Sequence, residues 1–220
     1  MIDTATRAVF FDAVGTVLFP DPSVAHVYAE VANRHGAAYT AEQIRGPLRA
    51  AFVRQEKIDH TAGWRTDEAR ERARWRGVVR ETLPDADHDP CFAALWDWFA
   101  SPQAWTVHPQ SGAVIRALLD RGLAVGIASN FDERLRPLLT AFPEVAPLAD
   151  RCVISSAVGW RKPAPEFFAE VVRVAGCEPG EVMYVGDDRQ NDYHGATAAG
   201  LRAVLVDPEG PTNLRDILGR

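Results

Sequence analysis

Five short apolar runs, residues 7–11, 123–128, 152–155, 182–185 and 203–206, are nearly continuous rather than alternating, as expected of strands buried on both faces. Between them, residues 111–119, 133–141, 166–175 and 192–199 carry helical spacing or composition. Pro165 suits the first turn of a helix, and Gly176 and Gly200 suit helix stops. The alternation predicts an α/β fold built on a doubly wound parallel sheet. Residues 21–105 break the rhythm. A crossover between strands does not need about 85 residues, and unstructured loops of that length are uncommon. Residues 23–35, 41–58, 67–82 and 90–100 each look helical. The expected organisation is therefore a core domain made of residues 1–20 and 106–220, with a helical-bundle domain, 21–105, inserted into it. Pro20, Pro22, Pro102 and Pro109 suit hinge strands at the junctions, and residues 207–220 are expected to end in a short surface helix.

The composition adds exclusions. The chain has 220 residues, of which 47% are hydrophobic and 25% charged, the balance of an ordinary globular protein with room for a substantial core. A net charge of -6 argues against a nucleic-acid partner, whose binding surface would be basic, and favours a small-molecule substrate. No run of about 18 apolar residues occurs and the first residues lack a basic leader, so no membrane partner and a cytoplasmic location are expected. The sequence is compatible with a monomer or a homodimer. Cys91, Cys152 and Cys177 are odd in number and widely spaced, which predicts apolar packing rather than a disulfide framework or a zinc site.

Chemistry enters at the strand ends. Asp12 closes the first apolar run and is followed by Gly15-Thr16, which can turn the chain, so its carboxylate sits where open parallel sheets hold ligands and could act as a nucleophile. Asp187 closes the run 182–185 in the same way. Two carboxylates at one sheet edge repel unless a cation lies between them, and Mg2+ is the natural one. Ser129, at the end of 123–128, supplies a hydroxyl donor and Lys162 a fixed positive charge, the complement of a phosphoryl group.

In this order, DAVGT from Asp12, Ser129 with Asn130, Lys162-Pro163, and Gly186-Asp187 through Asp192 resemble the four motifs of the haloacid dehalogenase-like (HAD) hydrolase superfamily, over essentially the whole chain. The resemblance implies a Rossmann-like core, with the insertion as a helical cap closing over the site. It also implies Asp12 as nucleophile, Mg2+ held by Asp12, Asp187 and the backbone carbonyl of Val14, and phosphate contacts from Ser129 and Lys162. Asn130 would join the substrate contacts, with Asp188 and Asp192 supporting from behind. The substrate would be a small phosphorylated metabolite, a phosphate monoester.

Val14 departs from the pattern. Family phosphatases carry a second Asp there, which protonates the leaving group and then activates water, and Val can do neither. A positioned acid/base contributes about 10²–10⁴ in rate. Dehalogenases of the family also lack an acid there, because halide leaves without a proton, but they use no metal, whereas GDxxxxD is retained here. Three readings follow: a Mg2+-dependent phosphatase with weakened acid/base catalysis, a 2-haloacid dehalogenase-like C–X hydrolase, or a binding or regulatory protein that keeps the fold. Asp188 and His108 are the candidate replacements for the missing acid.

Other features have plainer explanations. Trp64, Trp75, Trp96, Trp98 and Trp105 lie in the insertion, mostly as its own core, with Trp64 in Gly63-Trp64-Arg65 the candidate to face substrate. Arg70, Arg72, Arg74, Arg76 and Arg80 are interleaved with Glu68 and Glu71, which reads as a solvated, salt-bridged helix face. Arg34 and Arg45 could be imagined as halide ligands but fit no clear pattern. The Asp85, Asp87, His88, Asp89 cluster reads as a turn rather than a metal site.

Overall fold

The computed structural model describes residues 2–207 and 214–219. Its centre is a five-stranded, all-parallel sheet of β1 (Ala8–Phe11), β4 (Ala124–Ser129), β5 (Cys152–Ile154), β6 (Val182–Gly186) and β7 (Arg202–Leu205), in the order β5-β4-β1-β6-β7. Each expected strand is present within a residue or two. Side chains alternate between two cores. Val9, Phe11, Val125, Ile127, Met183 and Val185 pack on one face with α5 (Ser111–Asp120) and α6 (Leu135–Ala141). Ala8, Phe10, Val153, Val182 and Tyr184 pack on the other with α8 (Pro165–Ala175) and α9 (Gly195–Ala198). Burial on both faces is the reason these strands read as unbroken apolar runs. Pro165 opens α8, and Gly176, at φ +70°, closes it in the left-handed conformation that an L side chain resists. A one-turn helix, α7 (Ser155–Val158), follows β5.

The segment expected to be helical over 192–199 is helical, but it starts three residues earlier, with a wide π-type turn, Arg189–His194, that runs into the short α9. The Asp188 carboxylate caps that turn, accepting from the N–H groups of Gln190 and Asn191, each at 2.8 Å. The end of the chain also differs from expectation. Leu214–Leu218 is a 3₁₀ turn whose Leu214 and Ile217 are buried in the core rather than carried on the surface. The remainder of the expected terminal helix, residues 208–213 and 220, lies outside the described residues.

Between β1 and β4 stands the helical insertion: α1 (Val24–Arg34), α2 (Ala41–Thr61), α3 (Glu68–Thr82) and α4 (His88–Trp98). It has an apolar centre of its own, with Tyr28, Ile44, Leu48, Val78, Val79, Phe92 and Leu95. Two of its helices start on side-chain caps, Thr40 in a reciprocal capping box with Gln43 and Asp67 accepting from Arg70 N–H. The chain enters and leaves along a two-stranded antiparallel ribbon, β2 (Leu18–Pro20) with β3 (Trp105–Val107), which places both connections side by side. No helix among the described residues is long and apolar enough to cross a membrane.

Candidate active site

Strand order explains why the distant motifs meet. β1 lies between β4 and β6, with Phe11 level with Ile127 on one side and Val185 on the other. The residues just past these positions, Asp12, Ser129 and Asp187, therefore emerge together at the carboxyl edge of the sheet, where doubly wound folds bind ligands. Asp12 prolongs the ladder by donating its N–H to Val185 O at 2.8 Å, which fixes its backbone. The chain then turns at Gly15, φ +91°, where a Cβ would collide with the Asp187 carboxylate. Gly186 is needed for the same reason, since a Cβ there would strike Asp192.

Lys162 joins the carboxylates. Its Nζ donates to Asp12 Oδ1 at 2.6 Å, to Asp192 Oδ1 at 2.6 Å and to Tyr184 Oη at 3.0 Å, so all three donors are used. Tyr184 Oη in turn donates to Ala128 O at 2.6 Å. The Lys162 backbone is stapled by Asn130, whose Oδ1 accepts Lys162 N–H at 2.7 Å and whose Nδ2 donates to Lys162 O at 3.1 Å. Asn130 lines the cavity, but both ends of its amide are committed to holding Lys162. Asp192 is similarly spent, its Oδ2 accepting Asp188 N–H at 3.0 Å. Asp187 accepts from Thr16 Oγ1 at 3.2 Å.

Candidate ligand oxygens of Asp12, Asp187 and Asp192 lie within 4.8 Å of one another. Such crowding has an electrostatic consequence. Burial, and then the negative charges of Asp12 and Asp192, push the Asp187 carboxyl up to about 7, against the pull of Lys162. Asp192 is pushed up to about 6, by burial first, with Lys162 opposing and Asp12 adding repulsion. Burial pulls the Lys162 ammonium down, but Asp12 and Asp192 outweigh it and hold the ammonium well above its ordinary range. One lysine does not balance three carboxylates, and hard oxygen donors in this number suit a cation such as Mg2+. With both Asp192 oxygens engaged, Asp12 and Asp187 are the carboxylates left to hold it.

A pH effect follows from the sign of these shifts. Between about pH 4 and 7 the folded, metal-free protein keeps a proton on Asp187 that the unfolded chain releases, so this contribution to stability is complete below the ordinary carboxylate value and is lost as pH rises through 7. Asp192 acts in the same direction up to about 6. In EDTA, stability measured by denaturant titration should fall from pH 5 to pH 8 by on the order of a few kcal/mol. Asp187→Asn should flatten that decline, and so should Mg2+ with the unchanged chain. An equal decline in the variant would refute the assignment.

A cavity of about 430 Å³ stands over these groups. Its floor is Asp12, Val14, Ser129, Lys162 and Asp187, and its walls are largely aromatic, including Trp75, Trp96 and Trp105. Trp64, the tryptophan expected to face substrate, lies outside this cavity. It lines only a smaller side pocket beside Asn130 and Lys162, with its ring against His60, and holds a left-handed φ of +61° that turns its carbonyl onto Arg161 N–H at 2.8 Å.

The arginine-rich helix α3 is solvated at Arg72, Arg76 and Arg80, as expected, but not at Glu71 and Arg74. Glu71 is buried and ion-pairs with Arg161, the residue before Lys162, and accepts from Thr66 Oγ1 at 2.7 Å. Arg74 and Arg161 share Asp59 at 2.9 and 3.5 Å. Glu68 accepts from the Ser156 hydroxyl and from Glu133 N–H. Arg134 Nη1 donates to Trp96 O at 3.0 Å. The insertion is thus tied down across the strand ends by buried ion pairs. Arg161, Asp59, Tyr184 and Arg134 were not singled out in the sequence, and Glu71 was read only as part of a solvated face, because the contacts that bury these residues join different elements of the fold and no spacing announces them.

His108 does not line the cavity; just past β3, its ring lies tilted against Phe19, and burial lowers its pKa. Arg34 and Arg45 are surface residues paired with Glu30 and Glu42. Asp85, Asp87, His88 and Asp89 form no metal cluster among the described residues. The three cysteines are free, and burial raises each thiol, Cys152 to about 11.

A sheet whose strand ends present Asp12, Ser129 and Asp187 around Lys162, beneath a helical insertion, defines a hydrolase of the HAD type. The family model for haloacid dehalogenase-like hydrolases matches residues 6–200, and the chain belongs to that family. It is 30% identical over 206 residues to haloacid dehalogenase-like hydrolase domain-containing protein 3 of Bos taurus, covering 91% of this chain and 81% of that protein. Its fold matches an HAD phosphatase from Thermococcus onnurineus with a TM-score of 0.68 and 23% identity, over 97% of this chain and 98% of that one. It matches L-2-haloacid dehalogenase from Xanthobacter autotrophicus, solved with chloropropionic acid covalently bound, with a TM-score of 0.70 and 22% identity, over 91% and 77% of the two chains.

Proposed function

We propose that this hydrolase is a Mg2+-dependent phosphatase of small phosphate monoesters that works through an aspartyl-phosphate on Asp12. The observation that carries the reading is the surplus of negative charge at the strand ends, Asp12 and Asp187 facing one another with Lys162 bonded to the first. Mg2+ held by Asp12, Asp187 and the Val14 carbonyl would draw charge from a phosphoryl oxygen and relieve that surplus. The remaining work belongs to side chains. Lys162 exchanges its bond to Asp12 Oδ1 for a phosphoryl oxygen, which frees an Asp12 lone pair to attack phosphorus. Ser129, buried at the end of β4, donates to a second phosphoryl oxygen. Asp192 and Asn130 hold Lys162 in place, and Asp188 orders the turn that carries Asp192. Residues 21–105 act as the cap that excludes water from the cavity formed with 1–20 and 106–220.

A second reading is favoured by Val14. Attack of Asp12 on carbon with loss of halide needs no proton donor, so the same chain could hydrolyse a C–X bond. A screen of phosphate monoesters and 2-haloacids, each with Mg2+ and with EDTA, separates the two. Phosphate release that requires Mg2+ is the expected result. Halide release that persists in EDTA, with no phosphate release, would replace the first reading by the second.

A further inference from the structure

The residue two after the nucleophile and the walls of the cavity point to the same kind of leaving group. Val14 lines the cavity at the place where a proton donor would stand, and the other candidates are occupied. The Asp188 carboxylate already accepts from Gln190 N–H, Asn191 N–H and Asn191 Nδ2. Asp192 is held by Lys162 and by Asp188 N–H, and Asp187 is committed to the cation in the reading on which this inference rests. A leaving oxygen must then depart with its negative charge. Phenols ionise near pKa 10, whereas water and the simple alcohols that resemble it ionise far less readily. Without an acid, the phenol is far the better leaving group.

The cavity fits the same answer. Phe52, Trp75, Phe92, Trp96, Trp105 and Phe131 face it, and its volume of about 430 Å³ is ample for a substituted ring. Rings of this kind bind another ring by offset or edge contact in addition to area burial. Arg134, which also lines it, presents no free charge: its Nε and Nη2 hold both oxygens of Asp132 at 2.7 Å, its Nη1 is on Trp96 O, and its guanidinium lies 3.4 Å over the centre of the Trp96 ring.

We propose that the substrates are phosphate monoesters of phenols. An Asp12 oxygen bonds to phosphorus as the P–O(aryl) bond breaks, and the electron pair leaves as phenolate, which is protonated by solvent. Water then attacks phosphorus, the P–O(Asp12) bond breaks, the carboxylate is restored, and the proton of the water passes to solvent with release of inorganic phosphate. The second step lacks a general base and is common to every ester, so it limits turnover of the aryl esters, whose first step is fast.

The test has a kinetic and a binding arm. With Mg2+, 4-nitrophenyl phosphate and phenyl phosphate should each give a burst approaching one equivalent of phenol, then a slower steady rate common to both, while ethyl phosphate should react at least about 10²-fold more slowly in a single turnover. In parallel, tryptophan fluorescence should show phenylphosphonate binding at least about tenfold more tightly than methylphosphonate. Trp96→Ala should weaken phenylphosphonate alone, and Phe52→Leu serves the same purpose if the first variant does not fold. Ethyl phosphate as fast as phenyl phosphate, or equal affinity for the two phosphonates, overturns the proposal. If neither ester class is hydrolysed, the phosphatase reading fails and the kinetic claim fails with it, while selective phenylphosphonate binding would still uphold the aromatic specificity of the cavity.

Discussion

Asp12→Asn should abolish turnover of whichever bond the protein cleaves, by more than about 10³-fold, because an amide cannot form the covalent intermediate on which both readings depend. The substitution is nearly isosteric. Lys162 keeps Asp192 and Tyr184 as acceptors, so no buried ammonium is stranded and circular dichroism should be unchanged. A second consequence can be read without activity. Removing the Asp12 charge removes one of the forces that raise Asp187, so the Asp187 titration should move below its value of about 7. Mg2+ affinity measured by calorimetry should fall as a carboxylate ligand is lost. Retained turnover in folded Asp12→Asn would move the chemistry to another residue.

How much of this was legible in the sequence depended on distance along the chain. The five strands were legible because burial on both faces leaves an unbroken apolar run, and Asp12, Ser129 and Asp187 because each punctuates the end of one. The helical insertion was legible from length alone, since a parallel crossover does not require it. Residues defined by long-range pairing were not legible. Tyr184 reads as one more apolar position in its strand, yet its hydroxyl links Lys162 to Ala128 O. Arg161 carries no signal in the sequence beyond its place beside Lys162, yet it is buried against Glu71 and Asp59 from two helices of the insertion. The Glu and Arg residues of α3 satisfy the rule for pairs along one helix, but Glu71 pairs instead with Arg161 of the core and Arg74 with Asp59 of α2, where burial raises the cost of leaving them unpaired. Trp64 drew notice because Gly63 interrupts the helix, whereas Trp75 and Trp96 reach the cavity from within regular helices and so looked like packing.

Val14→Asp should raise the rate on alkyl phosphates by up to about 10²–10⁴ over the natural chain, the range a positioned acid/base supplies. Val14 is half-buried and lines the cavity together with Asp12, so a side chain there has access to the site, although its replacement gives up some packing against the core. The gain should depend on leaving group. Formation of the aspartyl-phosphate should improve greatly for ethyl phosphate, whose oxygen needs a proton, and little for 4-nitrophenyl phosphate. Hydrolysis of the intermediate should improve for both, since the same group can activate water, so the burst seen with aryl esters should shrink as the steady rate rises to meet it. The added negative charge also makes the site more dependent on a cation, and the gain should vanish in EDTA. If folded Val14→Asp shows no gain on alkyl phosphates, or if the natural protein is already as fast on them, another group fills the role of proton donor. Asp188→Asn would then identify it, since Asp188 is the lining carboxylate nearest in sequence to the proposed metal ligand Asp187.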